Sequence, residues 1–131
     1  MVQDSTARAE PSVALVVEDD DAVRHLASAV LEETDLSVIS CRSAEAALTV
    51  LERDDVTVAM LFADADLSGA MDGVALARTV EARWPSVRLV VTSDHGRDST
   101  LPAQAVHMSK PWRALDVLVQ AEHATLEAHA A

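Results

Sequence analysis

Five short apolar runs punctuate this chain, and between them the apolar positions recur at helical spacing. The first run, Val13-Ala14-Leu15-Val16-Val17, is bounded by acidic residues; after it Val23, Leu26, Ala27, Val30 and Leu31 mark one face of a helix. Residues 36–40 are β-branched enough to predict a short second strand. Ser43 is placed to cap a second helix, whose Ala44, Ala47, Leu48 and Leu51 face inward. Residues 56–63 predict a third strand. Asp72-Gly73 opens a helix to about Arg83, with Leu76, Ala77, Val80 and Trp84 on one face and Pro85 ending it. Residues 87–92 and 105–108 are strands four and five. Residues 112 to about 128 form a closing helix that uses Leu115, Leu118 and Val119.

Strands that are apolar throughout and alternate with helices imply a parallel sheet covered on both faces. The fold class is therefore α/β, a doubly wound five-stranded parallel sheet. One crossover departs from the scheme. Residues 93–104 are polar, contain Gly96 and Pro102, and are close to the minimum length for joining parallel strands. The fourth helix is expected to be short or irregular, with at most one or two turns. Residues 1–11 form a loose polar lead ending at Pro11, and residues 12–131 make up the single domain.

Doubly wound sheets bind ligands at the carboxyl ends of their strands. Here those ends carry Glu18-Asp19-Asp20, then Asp64, then Thr92-Ser93, then Ser109-Lys110-Pro111. A carboxylate such as Asp64 at the end of an apolar run costs free energy unless something compensates it. Carboxylates crowded together repel one another unless a cation sits among them. Donors that are all oxygen suit a hard cation, Mg²⁺ or Mn²⁺. Lys110 would supply a point charge for a phosphoryl oxygen and Thr92 a hydroxyl donor. The chemistry so assembled is phosphoryl transfer, with Asp64 as the carboxylate nucleophile. Taken singly, each residue has a plainer explanation. Asp20 or Asp21 can cap the first helix and Asp72 the third; Thr92 can be structural; Lys110-Pro111 can mark a turn or a cis bond. Their joint position on one edge favours the chemistry.

Composition narrows the partners. The chain has 131 residues, enough for one core, and its aromatic residues are Phe62, Trp84 and Trp112, so that core is built from Val, Leu and Ala. A net charge of −12 argues against nucleic acid, which needs a basic face, and against anionic membranes. Cys41 is the only cysteine, so no intramolecular disulfide forms. The N-terminus lacks the order of a signal peptide, and no apolar run is long enough to span a bilayer. A cytoplasmic location is expected.

At these residues the sequence resembles the receiver domain of bacterial two-component response regulators. "ALVVEDDDAVRHLASAVLEE" looks like that family's first strand, acidic pair and first helix. "MLFADADLSGAMDG" resembles its phosphoacceptor block, "LVVTS" its switch-threonine strand and "VHMSKPW" its Lys-Pro block. The resemblance covers roughly residues 12–127. It implies the flavodoxin-like strand order 2-1-3-4-5. It also implies that Asp64 is phosphorylated by a histidine kinase or histidine phosphotransfer protein. Asp19 would be a direct Mg²⁺ ligand, Glu18 a ligand through water, and Asp66 a ligand through its backbone carbonyl. Thr92 would reorient toward the phosphoryl group, Lys110 would contact it, and a cis peptide would precede Pro111. With no output domain read after the closing helix, a stand-alone receiver is expected to signal to a separate, unidentified output protein or to pass the phosphoryl group on.

The sequence also departs from that family. Its usual Met-Pro is here Leu67-Ser68, and Ala70 lengthens the following loop by one residue, so a looser loop is expected. His107 stands where an aromatic usually couples to the threonine, which suggests a pH-sensitive switch. The shortened segment before strand five puts the usual dimer face in doubt. Two rivals remain. A degenerate receiver would keep the fold as a protein-interaction module. A haloacid dehalogenase-like phosphatase would use Asp64 and Asp66 as nucleophile and acid/base, although that motif normally follows the first strand. Turnover of a phosphate ester separates the phosphatase from stoichiometric labelling of a receiver.

Overall fold

Parallel pairing joins all five strands into one sheet. The computed structural model describes residues 12–130; the polar lead expected at residues 1–11 lies outside the described residues. In chain order the elements are β1 (Ser12–Val17), α1 (Asp21–Leu31), β2 (Ser37–Cys41), α2 (Ala44–Leu51), β3 (Thr57–Asp64), α3 (Gly73–Arg83), β4 (Arg88–Ser93), β5 (Val106–Ser109) and α4 (Ala114–Ala130). The strand order is β2-β1-β3-β4-β5, the expected 2-1-3-4-5. β3 is central, flanked by β1 and β4, and all three are buried almost throughout, as their apolar sequences require.

Two apolar layers cover the sheet. One joins Leu15, Val17, Leu61, Ala63, Leu89 and Val91 to the inner faces of α2 and α3. The other joins Ala14, Val16, Met60, Phe62, Val90 and Met108 to α1 and α4. The helix starts are capped as the sequence indicates. The carboxylate of Asp20 accepts from the Val23 N–H at 2.9 Å, and that of Asp72 from the Ala75 N–H at 2.8 Å. The Ser43 hydroxyl accepts from the Ala46 N–H at 3.1 Å. Each satisfies a backbone donor that the first helical turn leaves free.

The phases of two helices differ from expectation. Leu26 is 57% exposed; α1 buries Ala27 and Leu31 as expected, with Arg24 beside them. Leu115 is 67% exposed and Val119 is exposed too; α4 buries Val117, Ala121 and Ala124. In α4 the small Ala121 and Ala124 face the sheet, and the larger Leu115 is turned to solvent. The crossover between β4 and β5 contains only turns and bends, consistent with a short or irregular fourth helix. Arg97 ties it together, donating to the carbonyls of Ala105 and Pro102, each at 2.6 Å. Among the described residues no helix is long and apolar enough to cross a membrane.

Candidate functional site

Side chains alternate across a strand, so residues two apart share a face. Val16, Phe62, Val90 and Met108 all lie in the layer under α1 and α4. Two positions further on come Glu18, Asp64, Thr92 and Lys110. The site is thus the continuation of one sheet face past its apolar part. Asp64 and Thr92 are direct neighbours across β3 and β4. Ladder-like hydrogen bonds run beyond the strands: Glu18 N–H to the Cys41 carbonyl at 3.0 Å and Lys110 N–H to the Ser93 carbonyl at 2.8 Å. They continue the backbone pairing of the sheet into the site.

Glu18, Asp19 and Asp64 each bring a carboxylate oxygen within 4.8 Å of the others. Glu18 is 4% exposed and Asp64 5%, whereas Asp19 lies nearer solvent. The Lys110 ammonium donates to Asp64 Oδ2 at 2.9 Å and lies 3.6 Å from Glu18 Oε1. Asp64 Oδ1 accepts the Asp66 N–H at 3.0 Å. Glu18 Oε2 accepts the Asp20 N–H, also at 3.0 Å. Lys110 therefore faces Asp64 and Glu18, and Asp19 adds a third carboxylate to the group.

The titration behaviour follows from that imbalance. Burial pushes the Glu18 carboxyl up, and the charge of Asp64 adds to it, against the opposing pull of the Asp20 N–H and Lys110. Burial works against the Lys110 ammonium, but its hydrogen bond to Asp64 and the two neighbouring carboxylates outweigh it and hold its pKa above the ordinary value. Hydrogen bonds from Ser68 hold the Asp19 carboxyl below its ordinary range.

The donor set fits a divalent cation. Its charge exceeds what Lys110 neutralises, its atoms are all oxygen, and one member faces solvent, where a hydrated ion keeps waters. Asp66 is exposed, and its carboxylate takes no part in the described hydrogen bonds at the centre. The Lys110–Pro111 peptide is cis.

His107 is placed differently from the others. It pairs across the strands with Val91, on the face opposite Thr92, and its Nε2 lies 2.8 Å from the Ser93 hydroxyl. That hydroxyl donates to the His95 carbonyl at 2.6 Å. The structure thus brings Thr92 to Asp64 but brings His107 to Ser93.

Two participants were not singled out from sequence. Arg24 is buried, donates to the Glu18 carbonyl at 3.2 Å and pairs with Asp21 at 2.7 Å. Its signal was present: it stands three positions after Asp21 on a helix, where opposite charges meet. Ser68, noted only for the proline it replaces, donates to Asp19 Oδ2 through its N–H at 3.2 Å and its hydroxyl at 2.9 Å. Contrary to the expected loosening, that loop is pinned at this point. No local pattern announces a contact across 49 residues.

Residues 14–118 match the family model described as the response regulator receiver domain. Solved structures agree on the fold. A response regulator receiver domain protein (CheY-like) from Methanospirillum hungatei JF-1 is 20% identical with a TM-score of 0.78, covering 92% of this chain and 99% of that one. The signal receiver domain of an HD domain-containing protein from Pseudomonas fluorescens Pf-5 is 22% identical with a TM-score of 0.76, over 92% and 99% of the two chains. The receiver domain of NtrX from Brucella abortus is 26% identical with a TM-score of 0.73, over 85% and 96%.

Proposed function

The chain belongs to the response regulator receiver domain family, and on that premise we propose that it works as a phosphoacceptor switch. Asp64 takes a phosphoryl group from a phosphohistidine on a histidine kinase or histidine phosphotransfer protein. One observation supports this reading above the rest: Asp64 ends a buried strand with its carboxylate 2.9 Å from Lys110 and beside two further carboxylates. An ion pair kept only for stability needs no such surplus of negative charge.

In the proposed step, a carboxylate oxygen of Asp64 forms a bond to phosphorus as the partner's P–N bond breaks. The electron pair stays on the imidazole nitrogen, which takes a proton from solvent. The product is an acyl phosphate on Asp64. Lys110, now held by the carboxylate, transfers its hydrogen bond to a phosphoryl oxygen, where negative charge accumulates. Thr92 stands on the neighbouring strand, within the same face, to offer its hydroxyl to the new group. Asp19, Asp64, the Asp66 carbonyl and, through water, Glu18 would hold Mg²⁺ or Mn²⁺, which when bound neutralises charge on the carboxylates and the phosphoryl oxygens. The acyl phosphate then biases a two-state equilibrium that an output partner senses.

Acetyl phosphate with MgCl₂ provides the test, scored by intact-protein mass. The wild-type chain is expected to gain one phosphoryl group. Asp64→Asn is expected to gain none while keeping its circular dichroism spectrum, because Lys110 still faces Glu18. Full labelling of Asp64→Asn would show the assignment to be wrong, and an unlabelled wild type would favour an interaction module without the chemistry.

A further inference from the structure

Asp19 is the least buried of the three clustered carboxylates, and its side chain would rotate freely if nothing held it. Ser68 holds it. Its N–H and its hydroxyl both donate to the same oxygen, Oδ2, at 3.2 and 2.9 Å. The other oxygen is left available, and a carboxylate has about four lone-pair sites in all. With these bonds made, Asp19 still offers an oxygen within 4.8 Å of those on Glu18 and Asp64. The contact therefore keeps Asp19 in the group rather than drawing it away.

Ser68 is itself positioned by backbone and core. Leu67, immediately before it, is buried in the layer under α2 and α3. Gly69, immediately after it, has φ +105°, a conformation side-chain-bearing residues rarely adopt. One neighbour anchors the loop and the other turns it, which leaves Ser68 facing Asp19.

We propose that Ser68 is a positioning residue for the cation site: it fixes Asp19 in advance, so that the entropic cost of ordering this ligand is met on folding rather than on binding Mg²⁺. The proposal rests on the receiver reading, since it assumes the three carboxylates hold a cation. Ser68 would act through Asp19, to which it donates.

Mg²⁺ affinity, measured by titration calorimetry and by Trp112 fluorescence, tests it in the absence of any phosphodonor. Trp112 is a suitable reporter because its ring meets that of Phe62 edge-on at 5.4 Å, two residues before Asp64. Ser68→Ala removes one donor and is expected to weaken Mg²⁺ about three- to tenfold; Ser68→Pro removes both and is expected to weaken it about tenfold or more, the usual size of a lost ligand-orienting contact. Ser68→Thr restores the hydroxyl and is expected to return the affinity to within about twofold of wild type. Metal-free melting temperatures should change little for Ala and Thr, because Ser68 is exposed. Equal Mg²⁺ affinity in wild type and Ser68→Ala, or tighter binding by the variant, overturns the proposal and leaves the receiver reading standing. A wild-type chain that does not bind Mg²⁺ at millimolar concentration overturns the proposal and the cation site together. Phosphoryl labelling of Asp64 is a separate measurement and is decided independently.

Discussion

Glu18 bears a desolvation cost within this group of carboxylates. Its carboxyl is buried, 4% exposed, beside Asp64, and only Lys110 at 3.6 Å and the Asp20 N–H offset that. Burial and then the charge of Asp64 raise its pKa. A carboxyl with a raised folded-state pKa binds its proton more tightly when folded. Its contribution to stability is therefore present below the unfolded value near 4.5 and is lost as pH rises through the folded value. Glu18→Gln removes the charge and keeps an oxygen for the Asp20 N–H. In EDTA at pH 7 it is expected to stabilise the fold by about 1 kcal/mol, a few degrees in melting temperature. The decline of stability above pH 4.5 should also flatten. Melts from pH 4 to 8 check this, and a variant no more stable than wild type at pH 7 would show that Lys110 fully offsets the charge. The residues of this site were legible individually, since each follows an apolar run. What each one touches was not, as Ser68 on Asp19 and His107 on Ser93 demonstrate.

At the scale of elements, helix starts were legible and helix phases less so. Asp20, Ser43 and Asp72 act within three residues of themselves, so their sequence context suffices. Which side of α4 faces the sheet depends on how closely the two can approach, and Ala121 and Ala124 prevail there over Leu115. The start of α3 carries a sharper constraint. A Cβ on Gly73 would overlap the Asp64 carbonyl oxygen and crowd Ala65, while the Gly73 N–H donates to the Ala65 carbonyl at 3.0 Å. This helix start is packed directly on the backbone of the proposed phosphoacceptor. Gly73→Ala must push β3 and α3 apart, and is expected to destabilise the protein by about 2–3 kcal/mol, as overpacking does. Acetyl phosphate labelling should slow as well, because Asp64 moves with its backbone. Urea unfolding and labelling rates together check this; a variant of wild-type stability would mean that the close approach is relieved at no cost.

For the whole molecule, the net charge of −12 and the three clustered carboxylates imply that a divalent cation at the proposed site would stabilise the fold. A ligand that binds only the folded chain stabilises it by about 2.7 kcal/mol at one hundred times its dissociation constant. MgCl₂ is thus expected to raise the melting temperature by roughly 5–10 °C under those conditions, well beyond NaCl at equal ionic strength. EDTA should reverse the gain, and Asp64→Asn should lose most of it. Equal shifts from both salts would mean general screening rather than a site.

The sequence alone determined the succession of elements, the parallel sheet and the edge at which the acidic and basic residues collect. Those features follow from local periodicity and from the rule that strand ends in such sheets share an edge. Only the tertiary structure decided the faces. β1 first pairs Val13 with Val58; a one-residue shift then pairs Ala14 with Met60 and Val16 with Phe62. Had the first register continued, Glu18 would stand beside Ala63, and its carboxylate would lie on the opposite face from that of Asp64. Side chains alternate with a period of two, so one extra residue in β3 suffices to bring the two carboxylates together. That shift depends on how two strands more than forty residues apart pack between their helices, and no local pattern records it.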